Sequence, residues 1–407
     1  MNSIQKTKFT SYQWMVILLL ALTQFTVILD FMVMNPLGDI LMKQLSMTTT
    51  QFGIVFSSYA IAAGISGFIS ASFADKFDRK KLLIFFYVGF IIGTILCGLA
   101  PNYWMMVSAR IFTGIFGGVI GSISMAIIAD LFESNQRGRV MGFVQMAFGI
   151  SQVLGIPIGL YIASSYGWHM PFFAIAGLAL LIALGLLLAL KPVSAHLKLQ
   201  QGNPIKHMLA TIVNKEYRVG FLATAFLSIG GYLIMPWGSA YAVNNLGIAE
   251  LDLPLLFFIS GIATLLLMPI VGILSDRINK FYLFTAASIW MCIVAMVYTH
   301  MSMVSFTIVV AVNIAMMIGI TSRMVPSSAL TSSLPMPKDR GAFMSINASL
   351  QQISGGIAAA VGGLVVVQDT KTSPLENFGT LGYMVTIAIV LSIILMSRVS
   401  KIIQKRR

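Results

Sequence analysis

The sequence predicts an all-α integral membrane protein with twelve transmembrane helices in two pseudo-symmetric six-helix bundles. Three observations predict it. Of 407 residues, 57% are hydrophobic and only 10% charged, with a mean hydropathy of +0.89. A soluble domain is about 45–50% apolar and about 25% charged, so this chain lacks the charge to cover the surfaces of two or three water-soluble domains. Twelve apolar segments of roughly 18–26 residues follow one another, each long enough for a tilted helix to cross about 30 Å of hydrocarbon. Finally, loop motifs of the first half recur in the second half.

The stretch ahead of the first segment carries Lys6 and Lys8 and runs into apolar sequence without an A-x-A-like site. It is expected to be a cytoplasmic tail before a retained span, not a cleaved signal. Spans 1 to 6 are expected at 13–37, 51–73, 82–100, 104–129, 140–163 and 170–190. The polar stretch 191–216, with Pro192, Gly202, Asn203 and Pro204, reads as a linker with room for a short surface helix. Spans 7 to 12 follow at 217–242, 253–274, 282–299, 304–328, 342–367 and 379–397. The expected organisation is an N-terminal bundle over 1–190, a cytoplasmic linker over 191–216, and a C-terminal bundle over 217–407 that ends in a short basic cytoplasmic tail. Cys97 and Cys292 sit in apolar runs without disulfide or metal spacing and read as small buried hydrophobes.

The net charge of +13 is distributed as topology. With the N-terminus inside, twenty-two of the Lys and Arg residues fall in inner segments and only Lys43 and Lys371 outside, while Arg110 and Arg323 lie within spans. That asymmetry orients the chain with both termini cytoplasmic and leaves no excess that calls for nucleic acid. The halves also match in their loops. Asp75-Lys76 after span 2 is answered by Asp276-Arg277 after span 8, and Arg137-Gly138 entering span 5 by Arg340-Gly341 entering span 11. Because six spans is an even number, the repeats are parallel, with their axis along the membrane normal and a central site at their interface.

Three motifs carry more specific information. The loop after span 2 reads Ala71-Ser72-Phe73-Ala74-Asp75-Lys76-Phe77-Asp78-Arg79-Lys80. It fits the pattern G-x-x-x-D-[RK]-x-G-[RK]-[RK], except that Ala71 and Asp78 replace the glycines. Span 4 contains Arg110-Ile111-Phe112-Thr113-Gly114-Ile115-Phe116-Gly117, an R-x-x-x-G-x-x-G pattern. Span 5 carries Gly149 and then Gly155-Ile156-Pro157-Ile158-Gly159, a glycine series around a proline with Ile156 as an extra residue. On these motifs the chain resembles, over essentially its whole length, the major facilitator superfamily. Within it the resemblance is to twelve-span drug:proton antiporters, relatives of bacterial multidrug and sugar efflux permeases. The resemblance implies a gating cluster in which Asp75 faces the positive start of span 11 and Arg79 pairs with Asp130. It also implies gating at Gly155, Pro157 and Gly159, where the proline bends the helix and the glycines admit close packing.

Asp30 is the only acid well inside a span. Counting about 1.5 Å per residue, it sits roughly 25 Å up span 1, while Arg110 lies roughly 9 Å below the outer start of span 4, so their depths are similar. Desolvation and a neighbouring guanidinium push a carboxylate's proton affinity in opposite directions, and such a site changes protonation with conformation. Asp30 also matches the acid that related antiporters carry late in span 1. Asp30 is therefore the expected proton-coupling residue, with Arg110 as its charge partner. Asp39, after Pro36 and Gly38, is expected in the outer headgroup region. Arg323 lies about two-thirds down span 10, above Pro326 and a serine-rich stretch that suggests a water-lined vestibule. Two arginines against one acid favour a neutral, zwitterionic or anionic solute, siderophore-like for example.

An enzyme needs a constellation, and neither a metal cluster nor a nucleotide motif nor any catalytic set is visible. The expected protein is a proton-coupled secondary active transporter that exports a small organic solute by antiport and alternating access. It uses no cofactor beyond the proton gradient, holds no metal, partners with a small-molecule solute and the lipid bilayer, and is a monomer in a bacterial inner membrane. Proton symport of an organic anion and a non-transporting receptor or sensor are the alternatives.

Overall fold

The computed structural model describes residues 9–70, 72–194, 197 and 204–406. Lys6, Lys8, Ala71, Lys198, Gly202, Asn203 and Arg407 lie outside them. Twelve helices among the described residues are long and apolar enough to cross a membrane. They are span 1 (Ser11–Val33), span 2 (Thr49–Ser70), span 3 (Arg79–Gly98), span 4 (Tyr103–Leu131), span 5 (Gln136–Tyr166) and span 6 (Met170–Ala189) in the first half. The second half holds span 7 (Lys215–Asn244), span 8 (Glu250–Arg277), span 9 (Lys280–Thr299), span 10 (Phe306–Ser333), span 11 (Arg340–Val365) and span 12 (Phe378–Lys405). The end of the molecule that carries the basic loops is called the basic face, and the opposite end the far face. Between spans 6 and 7 the described residues include a ten-residue helix, Pro204–Val213. That helix is tied to the span 10–11 loop through His207 Nε2, 2.9 Å from Asp339 Oδ1. The His207 hydrogen bond, reinforced by one from the Tyr217 hydroxyl, holds the Asp339 carboxyl below its ordinary value.

Spans 1, 3, 4, 7 and 9 start at short polar side chains that satisfy otherwise orphaned N–H groups. Thr10 and Gln13 form a reciprocal capping box on span 1, and Asn102 accepts from the Met105 amide to start span 4. Asp78, which breaks the glycine pattern of the span 2–3 loop, is the cap of span 3 and accepts from the Lys81 amide at 3.0 Å. Asn279 does the same for span 9 at the equivalent place in the second half, accepting from the Phe281 amide at 2.9 Å. The departure from glycine is thus a capping residue shared by the two repeats.

The helices of span 1 and span 7 are each interrupted near a proline. Span 1 stops at Val33, turns through Pro36 and resumes as the short helix Gly38–Gln44. Span 7 breaks after Tyr232, passes a tight turn at Met235–Trp237 and resumes as Gly238–Asn244. A proline supplies no N–H and clashes with the preceding turn, so Pro36 and Pro236 end the regular helix at matching points. The two elbows meet on the far face. Ser239 Oγ donates to the Asn35 carbonyl at 2.8 Å, and a Cβ on Gly38 would lie 3.1 Å from the Pro236 carbonyl.

The halves are joined along spans 2 and 11 by a seam of small residues. A Cβ added to Gly53 would meet the Ala359 carbonyl at 3.0 Å, and one on Gly64 the Ser349 carbonyl at 2.7 Å. At the far-face end Thr49 Oγ1 donates to the Val366 carbonyl at 2.6 Å. The second line of contact runs between spans 5 and 8, where Gly261 packs against the backbone of Gln152 and Val153. Spans 4 and 10 pack chiefly within their own halves. The far face is closed in this conformation.

Candidate functional site

Span 1 carries Asp30 into the interior of the N-terminal half, where it is 0% exposed. Arg110 Nη1, from span 4, donates to Asp30 Oδ2 at 2.8 Å, and Thr94 Oγ1, from span 3, donates to Asp30 Oδ1 at 3.2 Å. The Arg110 guanidinium also lies over the Tyr59 ring of span 2, 4.3 Å from its centroid. Its Nε and Nη2 have no hydrogen-bond partner in the protein, although the residue is fully buried. A permanent charge in this setting demands a counter-charge and aromatic cover, and the four spans supply both. The glycines of the span 4 motif set the distance. A Cβ on Gly114 would come within 2.5 Å of the Tyr59 carbonyl, and one on Gly117 within 2.7 Å of the Tyr59 hydroxyl. Only glycine lets Tyr59 slide against span 4 and reach the guanidinium.

Beyond Tyr59 the wall becomes aromatic and crosses to the other half. Phe31 packs on Tyr59, on Phe56 and on Tyr232 of span 7, with ring centroids 5.3, 5.2 and 6.0 Å apart. Tyr232 in turn donates to Gln352 Oε1 at 3.4 Å. The ion pair is therefore fully buried and held behind a plate of rings that contains residues of both halves. Reorienting the halves must move that plate. With one acid, one guanidinium and a threonine hydroxyl, the site holds groups that bind a proton or a polar solute.

The remaining expected site residues fall in three places. Arg79 donates from Nη2 to Asp75 Oδ1 at 2.6 Å and from Nε to Asp130 Oδ2 at 3.3 Å. Asp75 is half-exposed, and its ion-pair partner is Arg79. The 3₁₀ turn Ala74–Lys76 aims it back along its own loop. Gly155 and Gly159 face span 1 within the same half, where added Cβ atoms would strike Leu29 at 2.6 Å and Val33 at 2.9 Å. They hold the Asp30 helix close, while Gly261 of span 8 brings the opposite half against the backbone of span 5. Pro157 follows a π-helical turn at Ser151–Gly155, which absorbs the residue whose N–H the proline withholds.

Arg323 is not brought to Asp30. It is 5% exposed inside the C-terminal half, donating to Ser288 Oγ at 3.0 Å and Ser392 Oγ at 3.2 Å, with the Phe284 ring 5.7 Å away. A desolvated guanidinium held only by hydroxyls gains little against its desolvation cost. Arg323→Met is accordingly expected to leave unfolding stability within about 1 kcal/mol of the wild type or to raise it. A detergent unfolding titration checks this, and a loss of several kcal/mol would show a stronger hold than two serines.

Thr94 and Tyr59 complete the site without having been singled out in the sequence, and Cys97, buried as expected, lies beside it. Cys97 Sγ lies 3.7 Å from Thr113 Oγ1, one turn from Arg110. Polar residues within apolar spans were the available signal, but dozens share it, and helix rotation decides which ones converge.

Residues 20–359 and 220–401 match the family model described as Major Facilitator Superfamily. An uncharacterized MFS-type transporter of Bacillus subtilis, YbcL, is 25% identical over 91% of this chain and 93% of its own length. Two partial matches are Multidrug resistance protein 3 of B. subtilis, 35% identical over 30% of this chain and 24% of that protein, and a probable sugar efflux transporter of Helicobacter pylori strain G27, 28% identical over 38% and 39%. Among solved structures, a bacterial homolog of the human lysosomal transporter Spinster, inward-facing and unoccupied, aligns with a TM-score of 0.76 at 14% identity, over 97% of this chain and 99% of that one. A D-xylose-proton symporter aligns with a TM-score of 0.75 at 18% identity, over 94% and 97%. With twelve spans, a six-plus-six repeat and a family match along nearly the whole chain, this multi-pass membrane protein belongs to the Major Facilitator Superfamily of small-molecule transporters.

Proposed function

We propose that the protein is a proton-coupled secondary active transporter that exports a small organic solute by antiport, with Asp30 as the coupling acid. The fully buried Asp30–Arg110 pair carries this reading. As a carboxylate Asp30 accepts bonds from Arg110, Thr94 or a solute's donor groups; once protonated it gives up the ion pair. A neutral or zwitterionic solute whose donors need the carboxylate competes with the proton, and competition for one site in two alternating conformations is antiport. The names of the multidrug and sugar efflux relatives support the outward direction. The positive-inside asymmetry supports reading the basic face as cytoplasmic, with both termini inside and the far face outside a bacterial inner membrane. A monomer holds every group invoked here.

One observation favours a second reading. Arg110 has two unpartnered donors, and an organic anion that binds them gains most when Asp30 is protonated, which would make the coupling symport.

Proton flux in proteoliposomes separates these. With an imposed pH gradient and an interior pH dye, an exported solute is expected to collapse the gradient in wild type and not in Asp30→Asn. Solute and proton moving in opposite directions is antiport, and co-movement is symport. Equal solute flux in both proteins without proton movement would replace either reading with facilitated diffusion.

A further inference from the structure

The seal on the far face holds a carboxylate that the coupling reaction above leaves unused. Asp39 stands on the short helix Gly38–Gln44 and is 1% exposed, buried where the two halves meet. Its Oδ1 accepts from Asn244 Nδ2 of the opposite half at 2.7 Å, and its Oδ2 lies 2.7 Å from Lys43 Nζ. Lys43 also reaches Glu250, at the start of span 8, at 2.6 Å. Lys371, from the connection between spans 11 and 12, donates to the Lys43 carbonyl and to Ser46 Oγ, both at 2.9 Å. Two carboxylates thus share one ammonium across the seam. Lys43, Asn244 and Glu250 all act on the Asp39 carboxyl.

We propose that Asp39 is a second proton-binding site, separate from Asp30, which keeps the far face shut when protonated and releases it when ionised. Asn244 and Glu250 belong to the other half, so parting the halves on this side withdraws both and lets water reach Asp39. A protonated Asp39 still accepts the Asn244 bond through its carbonyl oxygen. An ionised one must be stabilised in a buried seam by an ammonium it shares with Glu250. Burial raises the Asp39 carboxyl above its ordinary value, outweighing the lowering by Lys43 and Asn244. In the parted state water returns it to the ordinary range. The closed state therefore binds the proton more tightly, acid favours closure, and that preference is lost as pH rises through the closed-state value. The inference needs only two alternating conformations and stands whether or not Asp30 carries the coupling proton.

Spin labels at Pro101→Cys and Ser302→Cys, exposed on the far face in opposite halves, report the opening by pulsed electron resonance in lipid nanodiscs without solute. Every arm carries Asp30→Asn, so Asp30 contributes nothing, and the half-buried Cys292 is replaced by Ser. Between about pH 8 and about pH 5, the closed-to-open ratio is expected to rise up to about tenfold for each unit separating the two proton affinities. Adding Asp39→Asn, a neutral side chain that keeps an acceptor for Asn244, is expected to hold the protein closed at every pH. Adding Lys43→Met instead removes the ammonium that tolerates the carboxylate and is expected to move the midpoint to higher pH. A flat pH response before Asp39 is changed, or an unchanged response after, would overturn the proposal. If Asp39→Asn does not fold, a Lys43→Met midpoint that stays put or moves to lower pH would overturn it as well.

Discussion

Arg110→Met is expected to lower the unfolding stability of the transporter by roughly 3–5 kcal/mol, because it leaves Asp30 as an uncompensated charge in a fully buried site. Thr94 Oγ1 remains as a single neutral donor to the carboxylate and cannot replace a guanidinium. The double variant Asp30→Asn/Arg110→Met removes both charges, and it is expected to recover to within about 1–2 kcal/mol of wild type, since an apolar replacement of a whole buried pair is often neutral. Denaturant unfolding in mixed micelles of wild type, both single variants and the double variant measures the coupling. If the double variant is as unstable as Arg110→Met, the pair is not what holds spans 1 and 4 together. Because the same pair is the proposed coupling site, proton movement is expected to be absent in all three variants even where stability returns.

Gly118→Val is expected to be the most damaging single change outside the charged site. A Cβ at this position would lie 2.4 Å from the Ala63 carbonyl oxygen and 2.5 Å from the Ala63 Cα. Both are backbone atoms of span 2, so no side-chain rotation relieves the clash, and spans 2 and 4 must separate. Overpacking costs about 1–3 kcal/mol where a core can adjust and more where it cannot. Separating these spans also withdraws Tyr59 from Arg110, so activity should fall with stability. Gly177→Val on span 6 is the control, since nothing lies within 4 Å of its added Cβ. Thermal unfolding in detergent should show a large fall in Tm for Gly118→Val and almost none for Gly177→Val. Equal effects would mean that generic helix propensity, and not the seam, sets the response.

The sequence by itself determined the features that depend on local composition. Segment hydropathy sets twelve spans, because crossing hydrocarbon demands length and apolarity within one stretch of chain. The distribution of Lys and Arg along the loops orients them. Asp30 and Arg110 were legible for the same reason, since a charge within an apolar run is rare and costly wherever it points. Some signals were present in the letters and easily passed over. Pro36 and Gly38 recur as Pro236 and Gly238, and Asp78 recurs as Asn279, yet their meaning as paired elbows and paired caps depends on geometry.

Only the tertiary structure decided which of these groups meet. Whether Asp30 touches Arg110, eighty residues away, turns on the rotation of two helices about their axes and on the glycines that let them approach. Arg323 and Arg110 look alike in sequence, but one meets a carboxylate and the other two serines. The positions of Gly155 and Gly159 against span 1, of Gly261 against span 5, and of Asp39 within the seam all follow from packing between distant segments. Span length and charge are local properties, whereas contact depends on the azimuth of each helix, and the near-uniform apolarity of spans that are covered on every side by lipid or protein leaves that azimuth almost unwritten in hydropathy.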